Sequence, residues 1–104
     1  MVQEIYIIDN KEELIENLKN IFKNKEEEFI FKSVKTEDLM VALRNIPAMI
    51  IINEDNIDMT INELCSKIVS DENNSITPIA VVSLVVNHGF QLMAIMRYYS
   101  TLEV

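Results

Sequence analysis

Residues 47–68 read PAMIIINEDNIDMTINELCSKI, a segment that contains an apolar run, a polar loop and an amphipathic stretch in succession. Met49 to Ile52 is apolar at every position, which is typical of a strand covered on both faces of a parallel sheet. Asn53 to Asp58 is polar and carries three acidic residues. The apolar spacing that follows predicts a helix over about 61–69. The uniformly apolar strand is therefore expected in the middle of a sheet.

The same alternation of strand and helix continues on both sides of this segment. Strands are predicted over 5–8, 29–34 and 79–82, and helices over 14–22, 36–46 and 90–102. This order predicts an α/β domain with a parallel sheet and right-handed crossovers. The functional crevice of such a sheet lies at the carboxyl ends of its strands. The polar residues expected there are Asp9, Asn10, Asn53 to Asp55, and Ser83.

Several side chains have a predicted structural place. Asp9 and Asn10 are good N-caps for the first helix, because their oxygens accept free backbone N–H groups. In the second helix, Leu39, Met40 and Leu43 are expected to face inward. Cys65 is expected to be buried and inert beside apolar neighbours, and His88 to lie in an exposed turn.

The composition predicts one small acidic domain. The chain has 104 residues, a net charge of −8 and one cysteine. An acidic surface repels phosphate backbones and anionic lipids, so nucleic acid and membranes are not expected as partners. No apolar run approaches the roughly 20 residues needed to span a bilayer, and the start lacks a signal peptide. These features predict a cytoplasmic protein.

Two segments resemble the receiver domains of bacterial response regulators. Receivers carry an acidic pair after the first strand and a phosphorylated aspartate after the third. In IYIIDNKEE, residues 5–13, Asp9 matches the first acidic position and Asn10 occupies the second. In the segment 47–68, Asn53 falls where the phosphorylated aspartate should be. The register there is fixed without a gap by Met59, Glu63, Leu64, Cys65 and Ile68.

The fourth strand extends the resemblance. TPIAVVSL, residues 77–84, is similar to the receiver segment that ends in a Ser or Thr, and Ser83 takes this switch hydroxyl position. The resemblance implies a CheY-like (flavodoxin-like), doubly wound parallel sheet of strand order 2-1-3-4-(5). The sequence ends at Glu103-Val104, about where the fifth strand would begin. It therefore implies one receiver-like domain over 1–104, truncated near the fifth strand and taken from a longer protein.

The substitutions decide what chemistry the resemblance allows. Receiver phosphorylation needs a carboxylate nucleophile and a divalent cation held by carboxylates. With Asn10 and Asn53 in place, no catalytic residue and no metal are expected. Any Mg²⁺ would depend on Asp9 and the backbone carbonyl of Asp55. The vestigial acidic pocket is therefore expected to contain Asp9, Asn10, Asn53 and Asp55.

The leading functional hypothesis is a degenerate, non-enzymatic receiver of two-component signal transduction. It would act by protein–protein or interdomain contact without aspartyl phosphorylation. Its partner would be its own output domain or another protein. The helix around Glu63 weakly resembles receivers attached to diguanylate cyclases.

Two other functions stay open. An active phosphoacceptor could use Asp55 or Asp58 with Mg²⁺, or the pocket could bind a small molecule as part of an α/β regulatory domain. Asp9 itself is either a helix cap or a vestigial metal ligand. Ser83 is either a switch residue or a structural hydroxyl.

The predicted last helix is apolar around more than one face. It would either cover the sheet or form a dimer or interdomain surface. The residues assigned to this surface are Phe90, Met93, Met96, Tyr98 and Tyr99.

Overall fold

The computed structural model describes residues 2–25, 28–87 and 91–99, with the side chains of 2–25 and 28–83. The strands are β1 (Gln3–Ile8), β2 (Phe29–Val34), β3 (Met49–Asn53), β4 (Ile79–Asn87) and β5 (Gln91–Tyr99). The helices are α1 (Leu14–Ile21), α2 (Leu39–Ala42) and α3 (Ile61–Ser70), with 3₁₀ turns at Lys23–Lys25, Thr36–Asp38 and Glu54–Asn56.

The strands form one sheet of order β2-β1-β3-β4-β5. The first four are parallel, so the predicted α/β class and the order 2-1-3-4 are confirmed. The apolar β3 lies between β1 and β4, in the middle of the sheet as its composition predicts. This arrangement is consistent with a flavodoxin-like fold.

Successive residues of a strand point to opposite sides of the sheet. Because the strands carry apolar side chains on both sides, helices cover both faces. On one face α1 packs its buried Leu14 and Leu18 against the sheet. On the other face α2 packs its buried Leu39, and α3 packs its buried Leu64 and Ile68, against the sheet. The strand residues on the α1 side are Ile5, Ile7, Ile51, Ala80 and Val82. Those on the α2 and α3 side are Tyr6, Ile8, Ile50, Ile52, Ile79 and Val81.

The prediction that Met40 faces inward is wrong. α2 is a single turn, and its Leu39 and the following Leu43 are the buried pair. These two residues are four apart and therefore share one face of the helix. Met40 lies to one side of this face and is 62% exposed. One turn has room for only one inward stripe.

The helix predicted over 90–102 is also wrong. Residues 91–99 form β5, which runs antiparallel to β4 with Asn87 opposite Gln91. β4 itself continues to Asn87 instead of ending at Val82. Two apolar runs joined by a short glycine-containing connection favour a hairpin, which forces the second strand to run back along the first. The sheet thus has an antiparallel strand beside β4, at the edge where the resemblance implied a parallel fifth strand that the sequence was expected to lack.

The residues assigned to an interface are affected by this change. Met93, Met96, Tyr98 and Tyr99 lie on β5 and not on a helix, while Phe90 and His88 lie outside the described residues. Their role at an interface stays a prediction. Within the described ranges, no helix is long and apolar enough to cross a bilayer.

Candidate functional site

Asp9 lies at the carboxyl end of β1 and is fully buried. Its carboxylate accepts backbone N–H groups from Lys11 at 3.0 Å, Glu13 at 3.0 Å and Leu14 at 2.9 Å. Glu12 has a φ of 54°, and this left-handed residue turns the chain so that the N–H groups face the carboxylate. The N-cap position of α1 is Glu13 and not Asp9 or Asn10, and the Glu13 side chain makes no capping hydrogen bond. Asp9 satisfies the first N–H groups of the helix from five residues before it begins.

Two buried asparagines complete the surroundings of Asp9. The amide nitrogen of Asn53 donates to Asp9 Oδ2 at 3.2 Å, and that of Asn56 donates to Oδ1 at 2.9 Å. A carboxylate only accepts hydrogen bonds, so both amides must turn their NH₂ groups toward it. The backbone carbonyl of Asn56 also accepts the backbone N–H of Asn10 at 2.9 Å. The Asp9 network consists of Asp9, these two amides and the three backbone donors.

The Asp9 network leaves the carboxylate saturated. An ionised carboxylate has about four lone-pair sites, and Asp9 accepts five hydrogen bonds. Burial by itself raises the pKa of Asp9. The hydrogen bonds from Leu14, Asn56, Asn53 and Lys11 stabilise the charged form more strongly, so the pKa lies below its ordinary value.

Asn10 does not face Asn53 but turns toward Thr36 at the end of β2. Its amide donates to Thr36 Oγ1 at 3.0 Å, and its carbonyl accepts the Thr36 backbone N–H at 2.8 Å. Thr36 Oγ1 donates in turn to Asp58 Oδ1 at 2.8 Å. These three residues line an open cleft of about 250 Å³ together with Lys35 and Glu37.

Ser83 lies on β4 and not beyond its end, because the strand is longer than predicted. Its hydroxyl donates a hydrogen bond to the Glu54 carboxylate. Glu54 follows Asn53, which pairs with Val82 across the sheet, so the two residues are neighbours at this edge. The Ser83 hydroxyl is therefore engaged by an acidic side chain of the chain itself.

The two alternative phosphoacceptors lie in different surroundings. Asp55 is exposed, and its backbone N–H donates to Asn53 Oδ1 at 3.2 Å. Asp58 is also exposed, and Thr36 holds one of its oxygens. The carboxyl edge thus brings Asp9, Asn53 and Asp55 into one chain of hydrogen bonds, while Asn10 and Asp58 belong to the Thr36 cluster.

The residues at this edge do not fit a Mg²⁺ ion. Hard divalent cations need several oxygen ligands, preferably anionic ones. The carboxylate of Asp9 is saturated by the chain, and the groups that Asn53 and Asn56 turn toward it are N–H donors. Where side chains are described, no cluster of three or more His, Cys, Asp or Glu residues could hold a metal.

Two residues of the site, Asn56 and Thr36, were missed in the sequence, and each hydrogen-bonds to a predicted site residue. Glu54, which accepts the hydrogen bond from Ser83, lies inside the range 53–55 that was expected at this edge. Asn56 carried one signal, since it lies three residues after Asn53 in a polar loop. Thr36 carried none, because its partner Asn10 is 26 positions away in the chain.

Cys65 is half-buried, and burial raises the pKa of its thiol. It lies on α3, packs against the margin of the core and takes no part in the Asp9 network.

Comparisons with known proteins add no relative. No protein-family model matches the sequence, and the searches of curated proteins and of solved structures also found no match.

Proposed function

We propose that this chain is a degenerate receiver-like regulatory domain that acts by contact with another domain or protein, without aspartyl phosphorylation. The observation that carries the proposal is Asn53. It is the last residue of β3, at the carboxyl edge, is fully buried and turns its amide NH₂ toward Asp9. A neutral carboxamide is a poor nucleophile, and this one already uses both its polar atoms in hydrogen bonds.

Action by contact is supported by apolar side chains on the surface. Ile46 is 66% exposed, Ile76 is 69% exposed, and Met40 and Val41 on α2 are about equally open. Ile46 lines one groove with the exposed Val2 and Ile30, and exposed apolar side chains that group together in this way mark interaction surfaces. The partner is an output domain of the same polypeptide, another protein or a second copy. A cyclase output, such as a diguanylate cyclase, stays a prediction from the resemblance alone.

The small-molecule alternative is less well supported. The cleft beside Asn10 and Thr36 has a volume of about 250 Å³, below the roughly 300–1,000 Å³ of ordinary ligand pockets. Its lining is polar, and its amide and hydroxyl groups already bond to one another. A reproducible shift of the melting temperature with one metabolite would favour this function over the proposed one.

The proposal is tested by intact-mass spectrometry after incubation with acetyl phosphate and Mg²⁺. We expect the unaltered chain to gain no phosphate, and the Asn10→Asp, Asn53→Asp double variant to gain one. The matched control is the Asn45→Asp, Asn73→Asp double variant, which adds the same two charges at exposed positions.

A phosphate on the unaltered chain would contradict the proposal. The Asp55→Asn and Asp58→Asn variants would then identify the acceptor, because the adduct disappears only from the variant that has lost it. If the double variant gains no phosphate, the result agrees with the proposed absence of phosphorylation but contradicts the proposal that the domain is receiver-like.

A further inference from the structure

The Asp9 network joins three separate parts of the chain at one buried charge. The first part is the turn from β1 into α1, which supplies backbone N–H groups. The second is the end of β3 through Asn53, and the third is the following 3₁₀ turn through Asn56. A buried carboxylate is costly unless it is paired with a cation or fully hydrogen-bonded.

We propose that the side-chain amides of Asn53 and Asn56 replace a cation beside Asp9, so that the carboxyl edge keeps one closed arrangement with no bound metal. Both amides are buried, at 0% and 9% exposure, and both donate to the same carboxylate. An Asn in place of Asp supplies an N–H where an acidic residue would supply an oxygen ligand. The neutral asparagine therefore removes the second negative charge that would require a cation, and its N–H group occupies the place where the cation would lie.

The start of α1 adds to the stabilisation of the Asp9 carboxylate. The N–H groups of Glu13 and Leu14 stand at the start of the helix, where the backbone dipole is positive. They add to the partial positive charge of the two amides around Asp9. Five donors thus surround one anion, and an incoming divalent cation would have to displace at least one of them.

The stability of the carboxyl edge without a metal is a property separate from the absence of phosphorylation. If the amides replace a cation, a carboxylate at position 53 creates a need for one. In Asn53→Asp two carboxylates face each other in a buried place, and their repulsion destabilises the fold until a cation lies between them. The exposed Asn45→Asp makes the same change of charge without a neighbouring carboxylate.

The experiment is thermal melting with EDTA and with millimolar Mg²⁺ or Ca²⁺ at constant ionic strength. We expect the unaltered chain and Asn45→Asp to melt at the same temperature with and without the cations. Asn53→Asp should melt about 10 °C lower in EDTA, and the cation should restore at least half of that loss. Asn56→Asp should behave in the same way.

Two results would overturn the inference. One is a saturable rise in the melting temperature of the unaltered chain with Mg²⁺ or Ca²⁺. The other is an Asn53→Asp variant that is as stable as the parent in EDTA, or that no cation restores. If the variants do not fold, the titration of the unaltered chain decides the matter, since a metal-free Asp9 network requires that it show no shift. The mass measurement reports phosphorylation alone, so the two proposals can fail separately.

Discussion

The two ends of the sheet are each fixed by one buried polar side chain, but the two side chains differ in charge. At the carboxyl end, the anion of Asp9 accepts five hydrogen bonds. At the amino end, the neutral amide of Asn74 donates to the carbonyls of Leu43 and Asn45 at 3.0 and 3.3 Å, and accepts from the Thr77 hydroxyl at 2.9 Å. We call the latter residues the Asn74 network.

The surfaces around the two networks differ as well. Around Asp9 the loops are polar and contain further buried polar groups, Thr36 among them. Around Asn74 isoleucines lie open, and a groove of about 460 Å³ runs past Val2, Ile30 and Ile46. The comparison teaches that the carboxyl end of this sheet is specified by hydrogen bonds made inside the chain. The amino end carries exposed apolar side chains instead.

The largest expected effect comes from removing the charged centre. Asp9→Ala leaves five donors without their acceptor, and we expect it to lower the free energy of unfolding by about 3–5 kcal/mol. Urea denaturation measures this loss. Asp38→Ala, at an exposed acidic residue of the same end, should cost about 0.5 kcal/mol or less. A loss below about 1 kcal/mol for Asp9→Ala would show that the network is not what fixes this end.

The neutral centre should matter less. Asn74→Ala removes the donor to the carbonyls of Leu43 and Asn45, of which the first lies in a buried place, and we expect a loss of about 2 kcal/mol in the free energy of unfolding. Its neighbour Asn73 is exposed, so Asn73→Ala is a matched control with little change. Equal losses for Asn74→Ala and Asp9→Ala would break the contrast between the two ends.

The charged Asp9 and the neutral Asn74 should also differ in how their contribution to stability depends on pH. The pKa of Asp9 is lower in the folded chain than its ordinary value of 3.8, so below that value the unfolded chain binds more protons. The stability that Asp9 contributes is therefore present above pH 3.8 and is lost as the pH falls through the folded pKa. Urea denaturation between neutral and acid pH should show this loss in the parent and in Asn74→Ala, and a flatter profile in Asp9→Asn. Identical profiles for all three chains would contradict it.

The smallest effect is expected on the exposed apolar side chains. Ile46→Ser and Met40→Ser should each change the free energy of unfolding by about 0.5 kcal/mol or less, because neither side chain is buried. The side chain of Leu43, directly after α2, is fully buried. Leu43→Ala should therefore lower the free energy of unfolding by about 2–5 kcal/mol. A large loss in Met40→Ser would restore the inward orientation that the sequence predicted.

Local patterns in the sequence predicted much of the fold. β2 was predicted over its observed range, and α3 to within one residue. The apolar run at Met49 placed β3 in the middle of the sheet, because only a central strand is covered on both faces and has two neighbours. The last segment was mistaken for a helix, since apolar residues without strict alternation suit both structures and only the pairing with β4 decides between them.

The candidate site divides in the same way. The sequence determined that the chain carries Asn at position 53 and that this residue follows a buried strand, which excludes a carboxylate nucleophile there. Only the tertiary structure decided that Asn53 and Asn56 turn toward Asp9, 44 and 47 positions away in the chain, and that Asn10 turns to Thr36 instead. Strand and helix periods arise from neighbouring residues and can be read locally. The partners of a buried polar group are chosen by the packing that brings distant segments together.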